Sequence, residues 1–262
     1  DLSVEYSVYD YQKEFYKVFS KLKNDNKFII ICGGTGMYLD SIVRGYDLVE
    51  VPTNQQLRLE LQGKSIEELT KILQNYKLKK GENLHNKTDI EERHRLLRAI
   101  EIEVFEQSEE CKILRSRMPL RPDIRPFIIG TTFPRDLIRE KVRQRLDSRL
   151  KQGMINEVNT LHNNGISWER LERLGLEYRF VAEYLQGKIS SYEELVNTLA
   201  ISIGQFVKRQ ETWFRGMQKK GVKINWLEHN GSKEDCKIES RFNAAIKLLT
   251  ENNLNERCCF DI

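Results

Sequence analysis

The sequence lacks the usual staples of small folds. Its five cysteines are Cys32, Cys111, Cys236, Cys258 and Cys259. An odd count with one adjacent pair is not a disulfide framework. No CxxC or Cys/His spacing occurs, so a structural zinc site is excluded as well. No apolar stretch approaches the roughly 20 residues that a bilayer span needs. No signal peptide is visible at Asp1, so the expected location is the cytoplasm. Internal repeats and low-complexity segments are also missing. Excess charge is small, +4 overall, and by itself says little about partners. What is present is ordinary globular material. Charged residues make up 31% and the hydrophobic set 39% of 262 residues. That suits one large domain, or a core that carries an insertion.

Along the chain, residues 5–23 read as a helix capped by Ser7, with Tyr11, Phe15, Val18 and Leu22 at helical spacing. Lys27–Cys32 is a short, isoleucine-rich apolar run. It suits a parallel strand buried on both faces. Helix, strand, glycine turn and helix is the rhythm of an α/β fold. Residues 51–118 change character. Their charged, helical patterns, without a strand, predict an all-helical insertion; Pro119, Pro122 and Pro126 mark the return. Residues 126–133 predict a second buried strand. A helix follows in which Ile138, Val142, Leu146, Leu150, Met154 and Val158 recur every four residues, ended by Asn163-Asn164-Gly165. Its other face carries Arg135, Arg139, Arg143, Arg145, Arg149 and Lys151. Further helices are expected at about 168–186 and 191–217, a last strand at 222–227, and a helical tail.

Some strings carry chemistry. Gly33-Gly34-Thr35-Gly36 stands at the carboxyl end of the first expected strand, where open α/β sheets bind ligands. Glycines admit close backbone approach, and the following helix N-terminus favours an anion. The string is neither GxGxxG nor a Walker A loop, and a tight turn with no ligand explains it equally well. In "EERHRLLRAIE", Arg95 and Arg98 share a helical face. Arg93 reads as part of a solvated face paired with Glu91 and Glu92, and His94 as exposed. In "KRQETWFR", Lys208, Thr212 and Arg215 share one face and Arg209 and Trp213 another. Basic residues interleaved with an aromatic suit a nucleic-acid backbone and a stacked base. A core tryptophan with a charged flank is the plainer explanation. Trp168 and Trp226 read as core. "LGLEYRF" puts Tyr178 and Arg179 just inside a helix. Arg179 gains meaning if it faces the glycine turn, where it could bind a phosphate bidentately.

Five strings, "CGGTGMYLDSIV", "DIEERHRLLRAIEI", "RLDSRLKQGMINEV", "LEYRFVAEYLQGKIS" and "FVKRQETWFRG", occur in order over nearly the whole chain. Together they resemble the tRNA dimethylallyltransferase (tRNA isopentenyltransferase) family. The resemblance implies an α/β core over 1–50 and 119–262, a P-loop-type parallel sheet flanked by helices. It implies a helical insertion over 51–118 that helps clasp the tRNA anticodon stem-loop. The implied reaction moves a dimethylallyl group from its diphosphate to N6 of the adenine at tRNA position 37. Mg²⁺ is expected with the diphosphate, and a monomer without membrane attachment is expected. Thr35 matches a residue of the reaction channel, with Gly33, Gly34 and Gly36 beside the substrate. Arg179 matches a residue that grips the diphosphate. Arg58, His94, Arg95, Arg98, Tyr178, Lys208, Arg209, Gln210, Thr212, Trp213 and Arg215 fall in tRNA-contact stretches. The chemistry suits these types. The adenine must be flipped out, held in line with the allylic carbon and relieved of a proton, while the leaving diphosphate needs cations.

The family's GxTxxGK[ST] phosphate loop and its DSxQxY general-base segment do not occur in these 262 residues. The resemblance therefore implies an incomplete N-terminus and a chain that alone lacks base and phosphate cradle. Glu177 also stands where many members have glycine. Two other readings share the residues: an RNA-binding module without catalysis, and a P-loop nucleotide kinase that binds ATP.

Overall fold

The computed structural model describes residue 2 and residues 5–81, 92–227, 229, 231–232 and 234–254. Over these residues the protein is mostly helical, with one small parallel sheet. They fall into two compact units, 1–46 with 123–262, and 47–122. Helix α1 (Val8–Asn24) opens on a capping box. Ser7 Oγ accepts from the Asp10 N–H, and the Asp10 carboxylate accepts from the Ser7 N–H. Tyr11 of α1 stacks on Tyr38 of α2 (Gly36–Val43), ring centroids 4.4 Å apart. Gln12 is buried between these helices. Its Nε2 donates to the carbonyls of Ser41 and Tyr46, each at 2.9 Å, so no buried donor is stranded. Burial, helped by a 2.6 Å hydrogen bond to the buried Asp40 carboxylate, pushes the Tyr46 phenol up to about 12.

The run Lys27–Cys32, expected as a buried strand, is not one. Phe28, Ile30 and Ile31 are exposed, Ile30 at 68%. A strand buried on both faces needs hydrogen-bonded neighbours along its edges. Among the described residues nothing pairs with this run.

Unit 47–122 contains α3 (Gln55–Glu60), α4 (Ile66–Lys79), α5 (Arg93–Glu106) and α6 (Glu109–Arg117). No strand occurs among its described residues; residues 82–91 lie outside them. Helix α5 ends at Glu106, and Ser108 caps α6 by accepting from the Cys111 N–H. Leu61, Leu69, Leu73, Leu96 and Ile100 form the core. Arg93, read as solvated, instead donates to the carbonyls of Leu61, Gln62 and Lys64. It satisfies acceptors beyond the end of α3 that the helix cannot bond itself. Two buried acids brace the same unit. Glu103 lies between Lys77 and Lys80, and Glu101 between Arg58 and Arg98.

The first unit resumes with β1 (Ile129–Gly130), α7 (Arg135–Lys151), α8 (Met154–Asn163), α9 (Trp168–Arg173), α10 (Leu176–Leu185), α11 (Tyr192–Lys219), β2 (Asn225–Trp226) and α12 (Ile238–Glu251). The two strands pair in parallel, Ile129 opposite Asn225. The segments 126–133 and 222–227 thus reduce to two residues each. A Cβ on Gly130 would lie 2.6 Å from the Trp226 ring, so only glycine lets that ring cross the strand. The expected long helix breaks at Gly153, whose φ of 96° lies in the left-handed region. The four-residue repeat concealed the break. Leu146 and Leu150 before it and Met154 and Val158 after it enter one core, with Leu171, Val181, Leu195 and Leu199. Gly175 divides α9 from α10 in the same way. Trp168, read as core, is half-buried, stacked on His162 at 3.6 Å between centroids and packed against that core.

Burial by itself disfavours the Glu103 carboxylate, yet Lys77 and Lys80 hold its carboxyl below the usual range. A lowered folded value means the contribution is complete above the unfolded value and is lost as pH falls through the folded one. Glu103→Ala removes the carboxylate between two partly buried ammonium groups, of which Lys80 keeps its pair with Glu106, at a cost of about 2–3 kcal/mol at pH 7. Urea unfolding checks this. The gap between parent and variant should close in acid.

Candidate functional site

The glycine turn and α11 meet, and small size is what lets them. A Cβ on Gly36 would lie 2.5 Å from Cδ1 and Cγ of Trp213. One on Gly34 would lie 2.6 Å from Nε2 of Gln210. Gln210 Nε2 donates to the Gly34 carbonyl at 2.9 Å. Gln210 and Trp213 are three residues apart, so one face of α11 presents both to the turn. Gly33 has nothing within 4 Å of its Cβ position and leaves the turn open on that side. Thr35 is the N-cap of α2, but its side chain makes no capping bond. Its exposed hydroxyl therefore remains at the mouth of the turn, beside the positive end of a helix.

The other residues of "KRQETWFR" divide by face. Thr212 Oγ1 donates back to the Lys208 carbonyl. Arg215 pairs with Glu211 through Nε at 2.8 Å and Nη2 at 2.6 Å, and its guanidinium lies 5.5 Å from the Trp226 ring centroid. Arg209 lies over the Phe206 ring at 5.8 Å. Lys208 is exposed and helps line a cavity of about 480 Å³ between α7 and α11. Arg135, Arg139 and Arg143 of α7 line it too, with aliphatic Ile138, Val142 and Val207.

Tyr178 and Arg179 sit in the first turn of α10. The Tyr178 hydroxyl donates to Glu157 Oε1, and that bond, with burial, pushes its phenol up. Arg179 is 54% exposed and pairs with Glu183 at 2.9 Å, one turn along. In unit 47–122, Arg58 grips Glu101 through Nε at 2.6 Å and Nη2 at 3.1 Å. Arg98 reaches the same carboxylate through Nη1 at 3.1 Å and the Val51 carbonyl through Nη2 at 2.7 Å. Arg95 pairs with Glu92, and His94 is exposed.

A family model described as IPP transferase matches residues 1–217. The chain belongs to the IPP transferase family. It is 52% identical over 228 residues to tRNA dimethylallyltransferase 2 of Treponema denticola, covering 86% of this chain and 74% of that relative. Solved structures share the fold. The full-length tRNA isopentenylpyrophosphate transferase of Bacillus halodurans superposes with a TM-score of 0.56 at 22% identity, covering 98% of this chain and 78% of that one. A eukaryotic dimethylallyltransferase acting on tRNA gives 0.69 at 17%, covering 97% and 64%.

For this IPP transferase, sequence reading found the two strings that meet but not how they meet. It missed Glu101, because an acid within a charged helix carries no local sign of burial. Among the described residues no three His, Cys, Asp or Glu side chains converge as a metal site, and no helix is long and apolar enough to cross a membrane.

The Gly36 contact is rigid and the Gly34 contact is not. An indole cannot bend away, whereas an amide at the end of a flexible chain can. Gly36→Ala should cost about 1–3 kcal/mol despite its gain in helix propensity. Gly34→Ala should cost less. Gly36→Ala alone should displace Trp213, seen as a shift in tryptophan emission that a Trp213→Phe background removes.

Proposed function

We propose that the protein is a prenyltransferase that moves a dimethylallyl group from dimethylallyl diphosphate to N6 of an adenine in tRNA, the adenine at position 37 beside the anticodon. Family membership supports the reaction class. The observation that carries the site is the joining of the glycine turn to the "KRQETWFR" helix through Gln210 and Trp213.

In this reading the turn is one wall of a channel. The flipped adenine enters past Thr35, whose hydroxyl is not used by its own helix. Gln210 and Trp213 brace the turn from behind, so the channel wall does not yield when substrate binds. Lys208, Arg209, Thr212 and Arg215 lie along the same helix for contact with the RNA. Arg179 binds the diphosphate after exchanging Glu183 for it. Mg²⁺ accompanies the diphosphate; among the described residues no cluster of acids is assigned to hold it. The strings GxTxxGK[ST] and DSxQxY do not occur in the 262 residues, so no residue here is assigned as phosphate loop or general base. Unit 47–122 supplies Arg58, His94, Arg95 and Arg98 to the anticodon stem-loop.

The test compares the chain alone with the chain joined at Asp1 to a segment bearing those two strings from a relative. Both should bind an anticodon stem-loop, and the joined protein should place labelled dimethylallyl on adenine 37 but not on guanine there. RNA binding in both without transfer in either would favour a non-catalytic RNA-binding module. In the joined protein, Thr35→Ala should lower turnover much more than tRNA affinity. Equal losses in both would remove Thr35 from the channel. Arg179→Ala should weaken binding of dimethylallyl diphosphate about tenfold or more, the usual worth of a charge-assisted bond. Calorimetric titration measures it, and unchanged binding would reassign the diphosphate contact.

A further inference from the structure

Glu101 is buried, yet it receives four hydrogen bonds. The Asn54 N–H donates at 3.1 Å, Arg58 Nε at 2.6 Å, Arg58 Nη2 at 3.1 Å and Arg98 Nη1 at 3.1 Å. Burial alone would disfavour the charged carboxyl, but the arginine bonds outweigh it and hold it ionised. One negative charge is thus shared by two guanidiniums. The guanidinium side chains are not buried with their partner. Arg58 is 40% and Arg98 39% exposed. The Val51 carbonyl fixes Arg98 from its other amine, and Glu101 itself carries the N–H of Asn54, the N-cap of α3. Two long side chains that would repel each other in water are therefore held side by side, with little rotamer freedom left to lose on binding.

We propose that Glu101 is a positioning residue for RNA: it presents Arg58 and Arg98 as a paired guanidinium site for a backbone phosphate. The proposal rests on the tRNA-modifying function above. The chemistry favours a phosphodiester. Planar, always-charged forks match phosphate oxygens bidentately, and pre-organised cations make a phosphate contact count fully in salt-dependent affinity.

The test exploits a conflict of signs. Glu101→Gln makes the protein more positive by one charge, so electrostatics without geometry predicts tighter RNA binding. Loss of positioning predicts weaker binding. We expect the dissociation constant for an anticodon stem-loop RNA to rise about five- to tenfold, and the slope of log K against log salt to fall by about one phosphate contact. Glu101→Asp keeps the charge but cannot reach both arginines, so it should also weaken binding, with no change in net charge to confuse the reading. It serves as well if Glu101→Gln does not fold, which circular dichroism at the assay temperature shows. On a background that lacks both arginines, Arg58→Ala with Arg98→Ala, Glu101→Gln should add little further loss. A folded Glu101→Gln or Glu101→Asp protein that binds RNA as tightly as the parent, or more tightly, overturns the proposal. A parent protein without affinity for the RNA takes down the functional reading itself, and that outcome is read before any variant is compared.

Discussion

The first unit depends on a backbone brought closer to a side chain than any residue but glycine permits. At Gly36 the indole of Trp213 occupies the volume a methyl group would need, and at Gly34 the amide of Gln210 does the same. Nothing about the turn itself demands glycine at Gly36 through backbone strain, since its φ is not among the positive ones. The demand comes from outside, from a helix more than 170 residues away in the chain. Beside that contact Thr35 is exposed, and its side chain makes no capping bond to its own helix.

Unit 47–122 follows another rule. Its core of leucines and isoleucines is modest, and two buried carboxylates each lie between two cations. Such pairs repay their desolvation only when every lone pair finds a donor. Their value lies in specificity. A carboxylate in the low-dielectric interior fixes where its partners stand much more sharply than a surface pair can. Arg58 and Arg98, two of the arginines that the family resemblance associates with RNA, are therefore not loose surface charges. They are braced ones.

Much of the helical content was legible. Ser7 and Ser108 mark helix starts by their capping chemistry, and the first of these was read directly. Periodicity located α7 and α11, yet it could not see the break at Gly153, because the residues on both sides enter the same core. The strands were over-read. Apolar runs such as Phe28–Ile31 have the composition of buried strands, but strand status is a property of neighbours, and a run cannot carry its neighbours in its own residues. Arg93 was misread for a similar reason, since the carbonyls it satisfies lie roughly thirty residues earlier.

The sequence by itself determined the family, because five strings in a fixed order are an identity that no packing can alter. It also determined the helices, whose hydrogen bonds close within a few residues and so answer to local spacing. Tertiary structure alone decided what the glycines are for, which acid is buried, and which arginines are held and by what. Those outcomes turn on atoms distant in the chain meeting within 3 Å, where exclusion of volume and loss of water set the energy and sequence separation has no influence on it.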